Sequence, residues 1–293
     1  MASFEGAEKP IEMAFAHLFV KRKVGLSAAL RAALLAALLL AGGMGSGAAA
    51  EAFDTSAYAR VLERYVTPEG KVRYAALKKD PADLEAFVEQ LAAVSPENRP
   101  DLFPTPAAQR AYWINTYNAF VLQAVVNAYP VSSVRDLKFG FGLLFFKRAQ
   151  FVAGGRKLSL DDIEHGILRA RFHDPRIHFA LNCASASCPP LAREPYRPET
   201  LDVQLDEAAR AFIGREENVW MRGDVLFLSK IFDWYKEDFV QAAGAQGNGT
   251  ASVVDYVVRY LPEEVARRVR QEKPRVEFYN YDWSLNNAGG RAD

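Results

Sequence analysis

The order of helical and strand patterns along this sequence is the feature that most constrains its fold. Apolar residues recur at helical spacing in residues 55–66, 81–94, 106–130 and 198–214. Strand-like patterns are fewer, and they lie at residues 176–182, 224–232 and 275–283. Since the two kinds of pattern do not alternate as in a doubly wound sheet, we predict an α+β domain. It should contain a few-stranded, mainly antiparallel sheet packed with several helices.

Residues 1–50 have the pattern of a secretory signal peptide. A positive group at residues 21–23 precedes an uncharged apolar run at residues 32–44, and small residues follow it. The run is shorter than the roughly 20 residues that a membrane-spanning helix needs. We therefore expect export to the periplasm or the outside of the cell, with residues 51–293 as a single domain and no stable membrane span in the mature form. Met13 is a second candidate start, because the residues before it do not resemble an n-region.

The charge balance of the chain bears on its partners. It contains 36 Lys and Arg residues and 36 Asp and Glu residues, so its formal net charge is zero. Such a chain has no global electrostatic attraction to nucleic acid or anionic lipid. We therefore expect a small-molecule or peptide ligand and no nucleic-acid partner. The sequence has no glycine-rich phosphate loop, so no cofactor is predicted, and it does not indicate an oligomeric state.

Two asparagines interrupt the longest helical pattern. Asn115 and Asn118 lie three residues apart in an otherwise apolar and aromatic stretch, so they share one face of the helix. Asparagine is unfavourable inside a helix because its amide competes for backbone hydrogen bonds. The pair can hydrogen-bond a neighbouring loop and fix its shape. Alternatively, one amide can orient a catalytic imidazole or donate to an oxyanion.

A second group of polar residues belongs to a helix that is predicted to begin at Ser159, which can cap it with the acid three residues on. Asp161, His165 and Arg169 share one face of this helix at successive i, i+4 steps, and Glu164 borders that face. The face can be a solvated, salt-bridged surface with an ordinary histidine. It can equally hold a histidine between an acid and a base near a functional site, where its pKa is tuned.

Both cysteines of the chain lie in the stretch HFALNCASASCPPL. A strand over residues 176–182 places His178 and Asn182 on one face. Cys183 then follows at the strand end, where catalytic groups are commonly presented. In an exported chain, an even number of cysteines favours a disulfide between Cys183 and Cys188, and the four-residue gap permits its geometry.

Other chemistry for the cysteine pair remains open at this stage. Cys183 can be a nucleophilic thiol, with His178 or His165 as its base and Asn115 or Glu164 as the orienting group. The pair can instead be a redox-active dithiol. Two cysteines with histidines can also form a zinc site, but no second spaced pair supports one, so no metal is predicted.

Five blocks of the sequence, in order, resemble the signature blocks of the domain of unknown function (DUF) 547 family. They are YWINTYNAF, DIEHGILR, HFALNCASASCPP, LSKIFDWYKEDF and YDWSLN, and they extend from about Leu102 to Asn286. The resemblance implies that the central positions of the family pattern correspond, in this sequence, to Asn115, Asn118, Glu164, His165, Arg169, His178 and Cys183. Because the second cysteine is less regular in that family, the resemblance favours Cys183 over Cys188 as a functional thiol. Some members are joined to glutaredoxin-like modules, which points to thiol chemistry.

The leading hypothesis is therefore an exported, thiol-dependent hydrolase or acyl-transferase. Its expected catalytic residues are Cys183, His178, His165, Glu164 and Asn115, and its expected binding residues are Asn118, Arg169 and Asn182. Papain-like enzymes place the cysteine before the histidine, whereas both histidines precede it here, so a permuted or unrelated arrangement is required. The competing hypothesis is a non-enzymatic cell-envelope binding module, with a buried polar network and a Cys183–Cys188 disulfide that closes the loop.

Overall fold

The computed structural model describes residues 52–137, 144–244 and 251–289. The expected signal peptide at residues 1–50 lies outside these ranges. The described residues belong to one compact unit. No helix in these three ranges combines the length and the apolar character needed to cross a bilayer.

Helices account for most of the regular structure in the described residues, in agreement with the predicted α+β class. Their bounds are Ser56–Tyr65, Tyr74–Lys79, Ala82–Ala93, Pro106–Ala128, Leu144–Arg148, Asp162–Arg169, Ala170–Phe172, Ile177–Ala180, Leu201–Ile213, Ile231–Trp234, Lys236–Gly244, Val253–Val257 and Glu263–Glu272. Short 3₁₀ turns lie at Pro100–Leu102 and Val134–Asp136. The predicted helices at residues 55–66, 81–94, 106–130 and 198–214 are all present, with ends shifted by a few residues.

Two small sheets complete the fold of the described residues. Strands β1 (Phe151–Ala153) and β2 (Arg156–Leu158) form an antiparallel hairpin. Strands β3 (Val219–Arg222), β4 (Val225–Leu228) and β5 (Arg275–Phe278) form the second sheet, in the order β3-β4-β5. The β3-β4 pair is antiparallel and the β4-β5 pair is parallel, so this sheet is mixed.

The helix Pro106–Ala128, called the long helix below, lies at the centre of the larger apolar core. Thr105 caps it by accepting a hydrogen bond from the backbone N–H of Ala108 at 3.1 Å, and Pro106 occupies the first turn, where its missing N–H costs nothing. The long helix packs against the helices Ala82–Ala93 and Asp162–Arg169. It therefore carries Asn115 and Asn118 into the interior, next to the segment that bears the predicted histidine site.

The predicted strand over residues 176–182 is wrong, because Ile177–Ala180 forms one turn of helix. Asp174 starts this turn by accepting a hydrogen bond from the backbone N–H of Arg176 at 3.0 Å. The segment is buried on nearly all sides, and a short apolar run does not distinguish a buried strand from a buried helix. Phe179 packs in a smaller core cluster around the second sheet, whereas Ile177 packs in the larger core. The turn therefore places His178 where the two cores meet.

The helix Asp162–Arg169 is π-helical, with one extra residue per hydrogen-bonded turn. The predicted cap at Ser159 is present: its hydroxyl donates to Asp162 at 2.7 Å and accepts from the Asp162 backbone N–H at 3.0 Å. π-Helical turns are rare in proteins overall, but those that occur are often located at functional sites. This one carries Glu164, His165 and Arg169 toward the turn that bears His178.

Candidate functional site

A cavity of about 320 Å³ lies between the π-helix and the residues 183–188, which we call the cysteine loop. It falls within the size range of pockets that bind small molecules. Its polar lining consists of Tyr117, Lys147, Asp161, Glu164, His165, Arg169, His178, Tyr235, Tyr281 and the two cysteines. Its apolar lining consists of Phe146, Leu181, Pro189, Ile231, Trp234 and Trp283. We call this the first cavity.

Asp238 joins two of the predicted site residues at this cavity. His178 donates from Nε2 to Asp238 Oδ2 at 2.7 Å, and Arg169 donates to both carboxylate oxygens, at 2.7 and 2.8 Å. Arg169 also donates from Nη1 to His165 Nδ1 at 2.8 Å, and His165 Nε2 lies 3.6 Å from Asp161. The four side chains His165, Arg169, Asp238 and His178 therefore form one continuous chain of hydrogen bonds.

The surroundings of these hydrogen-bonded side chains determine the charge on His178 and Asp238. Burial lowers the pKa of His178, whose side chain is 1% exposed, although the hydrogen bond to Asp238 opposes that effect. For Asp238, partial burial favours the neutral form, but hydrogen bonds from His178 and Arg169 outweigh it and lower the pKa well below its ordinary value. Near neutral pH, His178 is therefore an uncharged imidazole beside an ionised carboxylate.

Tyr235 fixes the plane of the buried imidazole. Its ring stacks on the ring of His178, with centroids 3.8 Å apart and planes inclined by 22°. The Tyr235 hydroxyl donates to Glu164 Oε1 at 2.5 Å, and the guanidinium of Arg169 lies 5.3 Å from the ring centroid. Burial raises the pKa of Tyr235 well above its ordinary value, so the hydroxyl remains a donor. Glu164 thus acts on His178 through Tyr235.

The two cysteines form a disulfide, as predicted, with their Cα atoms 6.1 Å apart. Cys188 Sγ accepts a hydrogen bond from the backbone N–H of Cys183 at 2.8 Å. Cys183 Sγ lies 3.0 Å from the hydroxyl of Ser185 and 3.4 Å from that of Tyr281. Ser185 donates to the Tyr281 oxygen at 2.9 Å, so the proton of Tyr281 is free to point at the sulfur.

Asn182 fixes both ends of the cysteine loop through its side-chain amide. Its Oδ1 accepts from the backbone N–H of Ala184 at 2.9 Å, and its Nδ2 donates to the backbone carbonyl of Pro189 at 2.7 Å. Asn118 holds Asn182 in turn: it accepts from the Asn182 backbone N–H and donates to the carbonyl of Ala180, both at 2.9 Å. The loop is therefore shaped by buried amides as well as by the disulfide.

A segment near the end of the described chain supports the loop from its other side. Residues 281–287 run antiparallel to it, with Ala186 donating to the carbonyl of Ser284 at 2.7 Å. Asn286 donates from its backbone N–H to the carbonyl of Ala184 at 3.0 Å, and from its side chain to Asn182 Oδ1 at 3.1 Å. This contact holds Ala184 in a left-handed conformation, φ +65°, directly after Cys183.

The structure brings together five of the predicted site residues and separates three. Those that line the first cavity are Glu164, His165, Arg169, His178 and Cys183. Asn115 instead forms two hydrogen bonds with the backbone of Tyr196, at 2.9 and 3.0 Å. Asn118 bonds the backbone on either side of Leu181, and Asn182 bonds the backbone of Ala184 and Pro189. The strand face that His178 and Asn182 were expected to share does not exist, because His178 lies in the helical turn Ile177–Ala180 and Asn182 follows it after the extended residue Leu181.

Three important contributors were missed by sequence reasoning, namely Asp238, Tyr235 and Tyr281. Asp238 lies in the first turn of the helix Lys236–Gly244, 60 residues after its partner His178. The signal available was the concentration of acids and aromatic residues in LSKIFDWYKEDF, including Trp234, which is 46% exposed. Across the part of the chain that the structure describes, no three His, Cys, Asp or Glu side chains are grouped to hold a metal ion.

The fold and the site define an α+β protein with a buried histidine bonded to a partly buried aspartate, and a disulfide, at one cavity. Residues 104–213 match the model of the family described as Protein of unknown function, DUF547, which confirms the resemblance over the first three of the five sequence blocks. The matched residues include the π-helix and the cysteine loop. Asp238 and the segment 281–287 lie beyond them. No curated protein and no solved structure matches the chain.

The burial of His178 predicts how stability depends on pH. Its pKa is lowered in the folded protein and stays near 6.5 in the unfolded chain, so the unfolded chain binds the proton first as the pH falls. The free energy of unfolding should therefore be fully retained above about pH 6.5 and decrease below it, until the folded-state pKa is reached. Urea titrations between about pH 7.5 and pH 5 measure this decrease.

The matched variants for this measurement are His178→Gln and His165→Gln. The first should flatten the decrease, because the buried titrating group is gone. The second removes a half-exposed imidazole and should leave the decrease in place. If the free energy of unfolding of His178→Gln decreases with falling pH as steeply as that of the unmodified protein, His178 is not the group responsible.

Proposed function

We propose that this protein is an exported, thiol-dependent hydrolase or acyl-transferase, with Cys183 as nucleophile, His178 as base and Asp238 as the group that orients His178. The observation that carries the proposal is that Cys183 and His178 line one cavity while Asp238 holds the imidazole at 2.7 Å. A nucleophile, a base and an orienting group are the parts that covalent acyl transfer requires. Export is supported by the signal-peptide pattern of residues 1–50.

His178 suits the role of base better than His165. Its Nε2 proton is donated to Asp238, so the neutral ring keeps its lone pair on Nδ1, and the lowered pKa keeps the ring neutral. In His165, Nδ1 already accepts from Arg169 and Nε2 faces Asp161. Asp238 thus takes the orienting role that the sequence assigned to Asn115 or Glu164. Glu164 keeps an indirect part through Tyr235.

The proposed reaction proceeds in two steps. In the first, His178 removes the thiol proton of Cys183, directly or through one water. The thiolate attacks the acyl carbon, and the leaving group departs with the proton returned by His178. In the second, His178 takes a proton from water, or from an acceptor alcohol or amine, which attacks the thioester. The carbon–sulfur bond then breaks, and the proton passes from His178 back to the Cys183 sulfur.

Tyr281 is placed to stabilise the negative oxygen that develops on the acyl group. Its hydroxyl lies 3.4 Å from Cys183 Sγ, so it faces the atoms that would bond to that sulfur. Burial raises the pKa of Tyr281, which keeps the hydroxyl protonated and able to donate. A fixed donor in a site shielded from water is an effective stabiliser of such an oxyanion.

The disulfide defines the resting form in this proposal. While Cys183 is bonded to Cys188, no thiolate is available, so the reaction requires prior reduction by an external thiol. The alternative is a binding module in which the disulfide closes the loop permanently. The binding module is favoured by the asparagine amides. Asn115, Asn118 and Asn182 all bond to backbone groups, which is a structural role. The two proposals differ in whether reduced Cys183 is an activated thiol.

Alkylation of a single-thiol variant tests the proposed function. Cys188→Ser leaves Cys183 as the only thiol of the chain, so no reductant is needed. Its reaction with iodoacetamide should be half-maximal below about pH 7, whereas an ordinary thiol titrates near pH 8.5. Adding His178→Gln should slow alkylation about tenfold near pH 7, because the imidazole no longer takes the proton.

Two controls complete this test. His165→Gln in the same background should leave the rate near that of the single-thiol variant. Cys183→Ser, which leaves Cys188 alone, should show no dependence on His178. If Cys183 alkylates as an ordinary thiol whether or not His178 is present, the enzyme proposal is wrong and the binding module stands.

A further inference from the structure

The cysteine loop separates the first cavity from a second one. The second cavity, of about 960 Å³, is lined on one side by residues of the loop and on the other by residues 69–71 and 215–217. Cys188 and Pro189 line both cavities, whereas Cys183 lines only the first. Both cysteines therefore border the first cavity, but Cys188 alone of the two borders the second.

We propose that an external thiol opens the disulfide from the second cavity by attacking Cys188, which releases the Cys183 thiolate into the first cavity. The inference rests on the proposed function, since it names how the resting form is activated. Thiol–disulfide exchange proceeds with the attacking sulfur, the attacked sulfur and the leaving sulfur in line. A thiol that attacks Cys188 must therefore approach from the side away from Cys183, and the second cavity lies against Cys188 alone of the two.

The exchange balances as follows. The reductant thiolate forms a bond to Cys188 Sγ, the disulfide bond breaks, and its electron pair stays on Cys183. A second thiolate, from the same dithiol or from another thiol molecule, then attacks the reductant sulfur. Cys188 leaves as a thiolate and takes up a proton, and the reductant leaves as a disulfide. The protein gains two electrons and the reductant loses two.

Access, rather than thiolate stabilisation, selects the attacked sulfur. Both sulfurs have hydrogen-bond donors: Cys183 Sγ has the Tyr281 hydroxyl at 3.4 Å, and Cys188 Sγ has the Cys183 N–H at 2.8 Å. Either thiolate is therefore stabilised as a leaving group. The Asn182 amide holds the loop at Ala184 and Pro189 independently of the disulfide. The loop should therefore keep Cys183 at the first cavity and Cys188 at the border of the second when the bond opens.

The charges around the second cavity indicate which thiols enter it. Its acidic lining residues are Glu69, Glu216, Glu217 and Asp282, and its basic lining residues are Lys71 and Arg215. Arg215 lies 3.6 Å from Glu217, so these two charges offset each other, and three acids remain against Lys71. A cleft with an excess of one charge concentrates ligands of the opposite charge. The reductant that fits is therefore a thiol carried on a cationic group.

Site-resolved trapping in the full chain tests this inference. The oxidised protein is exposed briefly to cysteamine, a cationic monothiol, and then quenched with excess iodoacetamide. Tryptic digestion yields one peptide, residues 177–193, that contains both cysteines. Fragment masses should place cysteamine on Cys188 and the acetamide group on Cys183. Cysteamine on Cys183, an equal mixture, or no adduct on the folded protein would each overturn the inference.

The preference of the second cavity for cationic thiols is tested by comparing rates of disulfide opening. Cysteamine should open the disulfide about three- to tenfold faster than the anionic thiol 2-mercaptoethanesulfonate at equal thiolate concentration and low salt. The ratio should fall at high salt, where charges are screened, and in Glu216→Gln/Glu217→Gln. A ratio near one at low salt contradicts entry through the acidic cavity. None of these readouts involves catalysis: a Cys188 adduct without His178-dependent alkylation sinks the proposed function alone, and a Cys183 adduct sinks only this inference.

Discussion

Replacing Asn182 by alanine is expected to lower the free energy of unfolding by about 3–5 kcal/mol. The side-chain amide is buried and serves the backbone N–H of Ala184, the carbonyl of Pro189 and the amide of Asn286. Its removal leaves all three of these groups without a partner, and each buried unsatisfied group costs about 1–3 kcal/mol. Urea denaturation of the oxidised protein measures the loss.

The matched control is Asn98→Ala. Asn98 also bonds backbone groups through its amide, accepting from Ser95 N–H at 2.7 Å and donating to the Ala93 carbonyl at 2.8 Å, but it is exposed. Water can replace its bonds, so we expect a loss of about 1 kcal/mol. Equal losses in the two variants contradict the role given to Asn182.

The disulfide is expected to contribute less to the free energy of unfolding than the Asn182 amide does. Cys183 and Cys188 are only 5 positions apart, so the chain-entropy argument gives the disulfide about 2 kcal/mol. Cys188→Ser should therefore destabilise the protein less than Asn182→Ala does. The reverse order shows that the disulfide, and not the amide, holds the loop.

Replacing Gly70 by alanine is expected to lower the free energy of unfolding by about 2–5 kcal/mol, and to displace the exit of the cysteine loop. Gly70 adopts φ +78°, where a side chain is strained. A Cβ atom there would overlap the Cβ of Pro190 and lie 2.6 Å from its Cα and 2.8 Å from the nitrogen of Leu191. These atoms belong to a proline ring and the backbone, so they cannot rotate away.

Gly155→Ala separates the two causes of this loss. Gly155 has the same φ of +78°, but nothing lies within 4 Å of the added Cβ. It should therefore lose only the backbone strain, about 1 kcal/mol. Thermal or urea denaturation of both variants gives the difference, which measures the overlap with Pro190. Equal losses contradict the close approach of Gly70 to the loop.

Much of the fold was predictable because its signals are local. The long helix follows from helical spacing between Pro106 and Pro130, and the cap at Ser159 from an acid three residues on. The strand predicted over residues 176–182 failed because a four-residue apolar helix has no period to recognise. The hydrogen bond from Arg176 to Asp174 that starts the turn is visible only in three dimensions.

The candidate site was predictable only where its members are near in sequence. The π-helix supplies Glu164, His165 and Arg169 together, and His178 and the cysteines follow within the next 19 residues. Asp238 and Tyr281 reach the site from 60 and 98 positions away, and no local pattern specifies which distant residue will meet a given side chain. The choice between a structural and a catalytic role for Asn115 likewise depended on its contact with Tyr196, which lies 81 positions away.

The support that residues 281–287 give to the cysteine loop bears on when the site can be assembled. A ribosome delivers the chain from its amino end, so Cys183 emerges 98 residues before Tyr281. During that interval Ala184 and Ala186 lack the backbone partners that the later segment provides. The two sulfurs can form their bond during synthesis, but the backbone contacts of the cysteine loop are complete only after residues 281–287 have been made. The site is therefore completed only after 98 further residues have been made, although both of its cysteines are present long before.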